Sequence, residues 1–373
     1  MNKISLTMAE NFSGIGCQKE GIDNTGLFDL KVLSTSDIDK DATVEYAAIH
    51  CGMTQEMIDN YPDYPSREQM AEDLTKLNIG YDPIKNKFYD WFKVAKKKNK
   101  DIEKVWLACK LSNNLGDISK IEKLPVADIW SISSPCTDVS CAGKMRGLNP
   151  DSGTRSSLLW NNIKLLKESY DRGEAPKFIF FENVKNLVGK KFINDFNTLC
   201  DILRDELDYN CYYAVLNAAE CGVPQHRERV FLIGIRKDID NGKFTFPKPF
   251  DNGLRLKDVL QPKEEVDEKY YVTNPRAIDL IKELFEKGVI KSLKARIRKL
   301  TPTECFVLQG MKKEYIARCK DVGISDSALY RAAGNGICSN CVKLIFEHLY
   351  KALYDENYQC EDEIFEDMEF LDI

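Results

Sequence analysis

A doubly wound α/β fold around a mostly parallel sheet is the class this sequence predicts, on three observations. The first third alternates strand-like apolar runs with helical stretches. Two later runs, Ala127 to Ser133 and Lys177 to Phe181, are continuous rather than alternating, as strands covered by helices on both faces must be. Residues with chemical potential follow directly after such runs, at the carboxyl ends of strands where parallel sheets hold their ligands.

Taken in order, Ile4 to Glu10 reads as the first strand, followed by a glycine turn and a helix from about Cys17. Leu30 to Ser36 is the second strand and Lys40 opens the second helix. His50 to Leu115 is long, lysine-rich and aromatic-bearing, and is expected to be a largely helical insertion on the rim of the sheet. Leu158 to Tyr170 and Phe192 to Leu207 are helical, and Val230 to Ile235 is another buried strand. Arg236 to Ile297 opens on a proline-rich turn, Phe246 to Phe250, and carries a charged helix around Ala277 to Gly288, the pattern of a small subdomain. The chain returns with Arg298 to Met311 and a final helix from about Gly336 to Tyr354.

Composition narrows the function classes. With 373 residues, 43% apolar and 30% charged, a sizeable core is expected. No apolar run approaches the roughly 18 residues of a membrane helix, and the N-terminus lacks the basic start and long apolar stretch of a signal peptide, so a cytoplasmic protein is expected. The 13 cysteines are scattered rather than framed, which reads as reduced thiols. A lone Cys338-x-x-Cys341 pair has too few nearby ligands for zinc, and no metal is expected. A formal charge of −6 gives no net pull toward nucleic acid, but acid is concentrated after Asp355 while lysines cluster at 96–100, 190–191 and 291–299, leaving room for a basic face.

Four strand ends and the start of a fifth strand carry the chemistry. Asn11-Phe12-Ser13-Gly14-Ile15-Gly16 is a glycine turn that lets the backbone approach a ligand, and Asp37 after the second strand can accept hydrogen bonds from both ribose hydroxyls of a nucleoside. No third glycine prepares a pyrophosphate site, so a nucleoside without phosphates fits better than a dinucleotide. Ser134-Pro135-Cys136 places a potential thiolate nucleophile after the next strand. Glu182, emerging from apolar Phe178 to Phe181, should be desolvated enough to act as an acid near neutral pH. Gln225-His226-Arg227-Glu228-Arg229 then offers guanidinium forks at the start of a buried strand, suited to a phosphate or a base carbonyl. Each motif alone has a structural explanation. Together they describe one reaction.

At these residues the sequence resembles the cytosine-5 DNA methyltransferase family, over nearly the whole chain and in the family's order. Phe12 through Gly16, Gly116-Asp117-Ile118, Pro135-Cys136 with Ser140, Glu182-Asn183-Val184, Gln225 through Arg229, Arg298 through Cys305, and Gly334-Asn335-Gly336 carry the match. The resemblance implies a class I S-adenosylmethionine-dependent methyltransferase sheet with a small, reduced target-recognition subdomain. Residues 1–235 would be the catalytic and cofactor-binding domain, with the insertion 50–115. Residues 236–297 would be the subdomain, 298–354 the return to the main domain, and 355–373 an acidic tail. It implies Cys136 as the nucleophile on carbon 6, Glu182 at ring nitrogen 3, Arg229 at the base carbonyl, and Arg227 supporting a loop or a phosphate. Phe12, Gly14, Gly16, Ile118 and Pro135 would line the S-adenosylmethionine site. Asp37 would take the ribose, Ile38 would pack on the adenine, Asp117 would bind its amino group, and Asn335 would close the pocket. Ser140 and Arg155, with Lys96 and Lys97 of the insertion, are the candidate DNA contacts. The expected partner is double-stranded DNA, for an enzyme either paired with a cognate restriction endonuclease encoded nearby or acting alone as an orphan methylase, with no membrane and as a monomer.

Two departures stand out. Thr137 replaces the glutamine usual after the catalytic cysteine, and Ser134 replaces the glycine two before it. Residues 236–297 are also shorter than the usual target-recognition domain and lack its threonine-leucine signature, which keeps open a transfer RNA methyltransferase, a catalytic half needing a specificity subunit, and a silent DNA-binding homologue.

Overall fold

The structure is a computed structural model that describes residues 3–82, 87–133, 158–292 and 294–360. Its centre is a sheet of six strands in the order β2-β1-β5-β6-β8-β7. These are β1 (Ile4–Asn11), β2 (Phe28–Ser36), β5 (Ile129–Ser131), β6 (Phe178–Val184), β7 (Tyr209–Asn217) and β8 (Glu228–Arg236). The pairings β1 with β2, β1 with β5 and β5 with β6 are parallel, whereas β8 runs antiparallel to both β6 and β7. The mostly parallel sheet is therefore present, closed at one side by an antiparallel hairpin.

Successive side chains of a strand point to opposite faces, and the apolar run of β6 shows the result. Phe178 and Phe180 enter one core with Met8, Phe231 and Phe346, and Ile179 and Phe181 enter the other with Trp130 and Leu232. Both faces are buried, so no polar alternation survives. β7 went unread in the sequence because it is the edge strand, its Asn210 to Ala214 only half-buried and its polar and aromatic residues mixed. Glu182 also lies one step further inside than expected, within β6 and opposite Phe231 of β8.

Helix α1 (Cys17–Asp23) follows the glycine turn, and α2 (Lys40–His50) is capped by the Asp39 side chain, which accepts from the amides of Asp41 and Ala42. The insertion is helical as expected: α3 (Gln55–Asn60), α4 (Arg67–Lys76), α5 (Trp91–Ala95) and α6 (Asp101–Leu111), with a two-stranded hairpin of β3 (Tyr81–Asp82) and β4 (Lys87–Phe88). Arg67 ties it together, donating to Glu103 at 2.7 Å and to the carbonyls of Ala95 and Asn99 at 2.9 and 3.0 Å. The insertion packs on α2, at the β2 side of the sheet.

Past β8 the chain makes short helices, α9 (Leu256–Val259) and α10 (Pro275–Glu286), and only Ala277 of α10 is buried. This segment is anchored to α11 (Pro302–Leu308) through Glu304, which accepts from the Gln261 amide at 2.8 Å and pairs with Arg298 at 2.7 Å. The final helix expected from about Gly336 to Tyr354 is α14 (Ser339–Tyr354), and before it α13 (Asp326–Asn335) ends at the late glycine motif. α14 lies on α1 so closely that a Cβ at Gly21 would sit 2.5 Å from that of Val342. The eleven cysteines among the described residues are free. No helix there is long and apolar enough to cross a membrane.

Candidate active site

The turn after β1 depends on left-handed backbone. Phe12, Gly14 and Gly16 have φ of 53°, 51° and 76°. A Cβ at Gly16 would fall 2.3 Å from the His50 ring, so only glycine fits there, whereas at Gly14 nothing lies within 4 Å and the backbone faces open space. The Gly14 amide donates to Asp37 Oδ2 at 2.9 Å, and Oδ1 accepts from the Asp39 amide at 2.8 Å. Burial, helped by the Asp39 carboxylate, pushes Asp37 up to about 6.

A residue that sequence reasoning missed joins this carboxylate to the next motif. Buried Asn114 donates to the Asp37 carbonyl at 3.0 Å, and its Oδ1 accepts from the amides of Asp37 and Gly116 at 3.1 and 2.9 Å. Asp117 follows, as N-cap of a short 3-10 turn that begins with buried Ile118. No spacing rule marks Asn114, since its partner Asp37 is 77 positions away. Asp37, beside the open backbone at Gly14, and Asp117 are acceptors, which suits a ligand presenting ribose hydroxyls and an exocyclic amine. In that respect the residues present fit S-adenosylmethionine.

The second half of the site lies at β6 and β8. Glu182 Oε1 is 3.1 Å from Arg229 Nε. Burial raises the Glu182 carboxyl above its ordinary range, and the Arg229 and Arg227 guanidiniums pull the other way. The Glu182 amide donates to Ser133 Oγ at 2.9 Å, so the acid is fixed to the residue that precedes Ser134. Cys136, Pro135, Ser140 and Arg155 lie outside the described residues. Arg227 does not reach toward solvent: its Nη2 donates to the carbonyls of Gly334 and Gly336 at 3.0 and 2.7 Å. That leaves Asn335, exposed, at the C-terminal end of α13, which is gripped from the β8 side. The same helix is held from the other side through its own Arg331, which pairs with Asp39 and Asp41 at the start of α2 at 3.2 and 2.7 Å.

Beside Arg227 and Arg229 opens a cleft of about 830 Å³, lined among others by Lys185, Gln225, His226, Leu300 and Tyr330. Its size is within the usual range for a bound small molecule or base. Lys96 and Lys97 are exposed between α5 and α6, on the insertion, and no described contact joins them to Glu182 or Arg229. Among the described residues no group of three or more His, Cys, Asp or Glu side chains is arranged to hold a metal.

The family model described as C-5 cytosine-specific DNA methylase matches residues 91–284 and 274–351. The type II methyltransferase M2.ScrFI of Lactococcus lactis subsp. cremoris is 31% identical over 376 residues, covering 93% of this chain and 99% of that protein. The chain belongs to the C-5 cytosine-specific DNA methylase family. This methylase is also similar to the type II methyltransferase M.HhaI of Haemophilus parahaemolyticus, at 28% identity over 65% of this chain and 82% of that one. Its fold is that of the solved Dnmt2 methyltransferase of S. pombe, with a TM-score of 0.54 and 14% identity over 94% of this chain and 99% of that chain. As a member of the family it is a DNA (cytosine-5) methyltransferase with a class I methyltransferase sheet, and DNA is its substrate.

Proposed function

We propose that this methylase acts on a cytosine flipped out of duplex DNA, through a covalent adduct on Cys136, with S-adenosylmethionine as methyl donor. The observation that carries the reading is the Glu182–Arg229 pair at 3.1 Å, tied through Ser133 to the start of the segment that bears Cys136. A pyrimidine placed there meets an acid at ring nitrogen 3 and a guanidinium at its carbonyl oxygen. Attack of the Cys136 thiolate on carbon 6 pushes electrons toward nitrogen 3, where Glu182 supplies a proton or a hydrogen bond, and carbon 5 becomes nucleophilic. S-adenosylmethionine supplies the methyl group to carbon 5. A base then removes the carbon 5 proton, the electrons return to the ring, and the carbon 6 to sulfur bond breaks to free Cys136. None of this is feasible in a stacked duplex, so the cytosine must leave the helix at a cost of a few kcal/mol.

Asp37 would hold the ribose, Phe12, Gly14, Gly16, Ile38, Ile118 and Pro135 the rest of the cofactor, and Asn335 the pocket's open side. Ser140, Arg155, Lys96 and Lys97 are the proposed DNA contacts. The type II naming of its relatives supports a modification role beside a cognate restriction endonuclease, and the enzyme is proposed to act as a monomer.

The test is incubation with tritiated S-adenosylmethionine and unmethylated DNA of mixed sequence, with transfer RNA in parallel and Cys136→Ala as control. Label at one short DNA sequence, absent in the variant, is the expected result. Label in transfer RNA alone would replace the DNA reading, and an undiminished Cys136→Ala would remove the covalent step.

A further inference from the structure

The cofactor edge of the sheet carries a residue outside every motif. Asn78 stands two positions past the end of α4 with φ of 53°, and its amide donates to the Thr75 carbonyl at 3.1 Å. This is the left-handed position after a helix, where asparagine is tolerated. Capping accounts for the backbone. It does not account for the side chain, whose Nδ2 donates to Asp117 Oδ2 at 3.1 Å.

The grip around Asp117 is tight. Its Oδ1 accepts from the Ser119 amide and hydroxyl at 2.9 and 2.7 Å, and its own amide donates to the Leu77 carbonyl at 3.0 Å. Gly116 comes so near that a Cβ there would lie 2.0 Å from the Leu77 oxygen. Two residues on, the Gly80 amide donates to the Ile38 carbonyl at 2.7 Å. The insertion segment from Leu77 to Gly80 thus holds both Ile38 and Asp117, and each Asp117 oxygen is fixed by a donor from the protein. One lone pair of Oδ2 stays available, in a set direction.

We propose that Asn78 is a positioning residue that aims the Asp117 carboxylate at the exocyclic amine of the cofactor's adenine, so that the 50–115 insertion takes part in choosing the base of the cofactor. The inference rests on the reading of this pocket as an S-adenosylmethionine site. Asn78 is a donor only toward Asp117, so the carboxylate presents an acceptor outward. An adenine amine satisfies it. A base with a carbonyl at that position sets acceptor against acceptor.

Calorimetric titration of the full-length protein with S-adenosylhomocysteine and with its deaminated analogue, S-inosylhomocysteine, tests this without turnover. The wild type is expected to prefer the adenosyl compound by about 10- to 100-fold, as for a site that loses one charge-assisted hydrogen bond. Asn78→Gly keeps the left-handed backbone and deletes the amide; it should reduce that preference by about tenfold while leaving the melting temperature of the free protein nearly unchanged. Equal loss of affinity for both compounds, or an unchanged preference, would overturn the role of Asn78 while leaving the cofactor reading intact. A wild type that binds neither compound would overturn that reading and this inference together.

Discussion

Arg227, on the segment leading into the strand that carries Arg229, donates to the Gly336 carbonyl at 2.7 Å and so fastens the start of β8 to the C-terminal end of α13, beside Asn335. The sequence leads one to expect Arg227 to support a loop or a phosphate, and here its guanidinium braces the backbone at Gly334 and Gly336. Its Arg227→Ala variant should therefore lose S-adenosylhomocysteine affinity, by about 5- to 50-fold for the loss of two hydrogen bonds to carbonyls. Calorimetry in the absence of DNA checks it. Unaltered affinity would return Arg227 to a purely DNA-side role.

Glu182 should behave differently. Glu182→Gln keeps the shape and the contact to Arg229 but cannot give a proton to ring nitrogen 3, so single-turnover methylation should fall by about 10²- to 10⁴-fold. Cofactor affinity should stay as in wild type. A variant that methylates at the normal rate would exclude the acid.

The pH dependence of cofactor binding follows from Asp37. Its carboxyl is raised to about 6, and ribose hydroxyls donate only to an acceptor, so affinity should weaken as pH falls through about 6, approaching about tenfold per unit. Asp37→Asn should bind more weakly at pH 8 and lose this slope. Titrations between pH 5 and 8 with S-adenosylhomocysteine measure both.

Stability should carry a second signature. Burial pushes Glu10 up to about 7 from an ordinary 4.5, against the opposing hydrogen bond from Tyr46 Oη at 2.8 Å. The folded state therefore binds this proton more tightly than the unfolded chain. The contribution is fully present below about pH 4.5 and is lost as pH rises through 7, amounting to roughly 3 kcal/mol over that window. His50, its ring tilted against that of Tyr46 and pushed down to about 4 by burial, works in the opposite sense. Comparing Glu10→Gln with wild type isolates the first effect: the stability difference between pH 5 and pH 8 should change by about 2 kcal/mol or more in denaturant melts.

Lys96 and Lys97 give the last test. Reversing both to glutamate should weaken DNA binding and flatten its salt dependence if the insertion touches the backbone, and unchanged salt slopes would confine it to the cofactor side.

The sequence by itself determined the order of the motifs, the strands buried on both faces, and the residue types needed for a thiol nucleophile, an acid and a nucleoside pocket. These are local signals: apolar runs such as Phe178 to Phe181, glycines at left-handed turns, and carboxylates at strand ends. Tertiary structure alone decided what those residues touch. The antiparallel direction of β8, the edge strand β7, the turn of Arg227 toward Gly334 and Gly336, and the brackets made by Asn114 and Asn78 all join segments distant in sequence. Hydrogen bonds between distant segments leave no periodicity to read. They exist only once burial of the two cores has brought the chain together, and there an unpaired buried polar group is costly, so most of them find a partner.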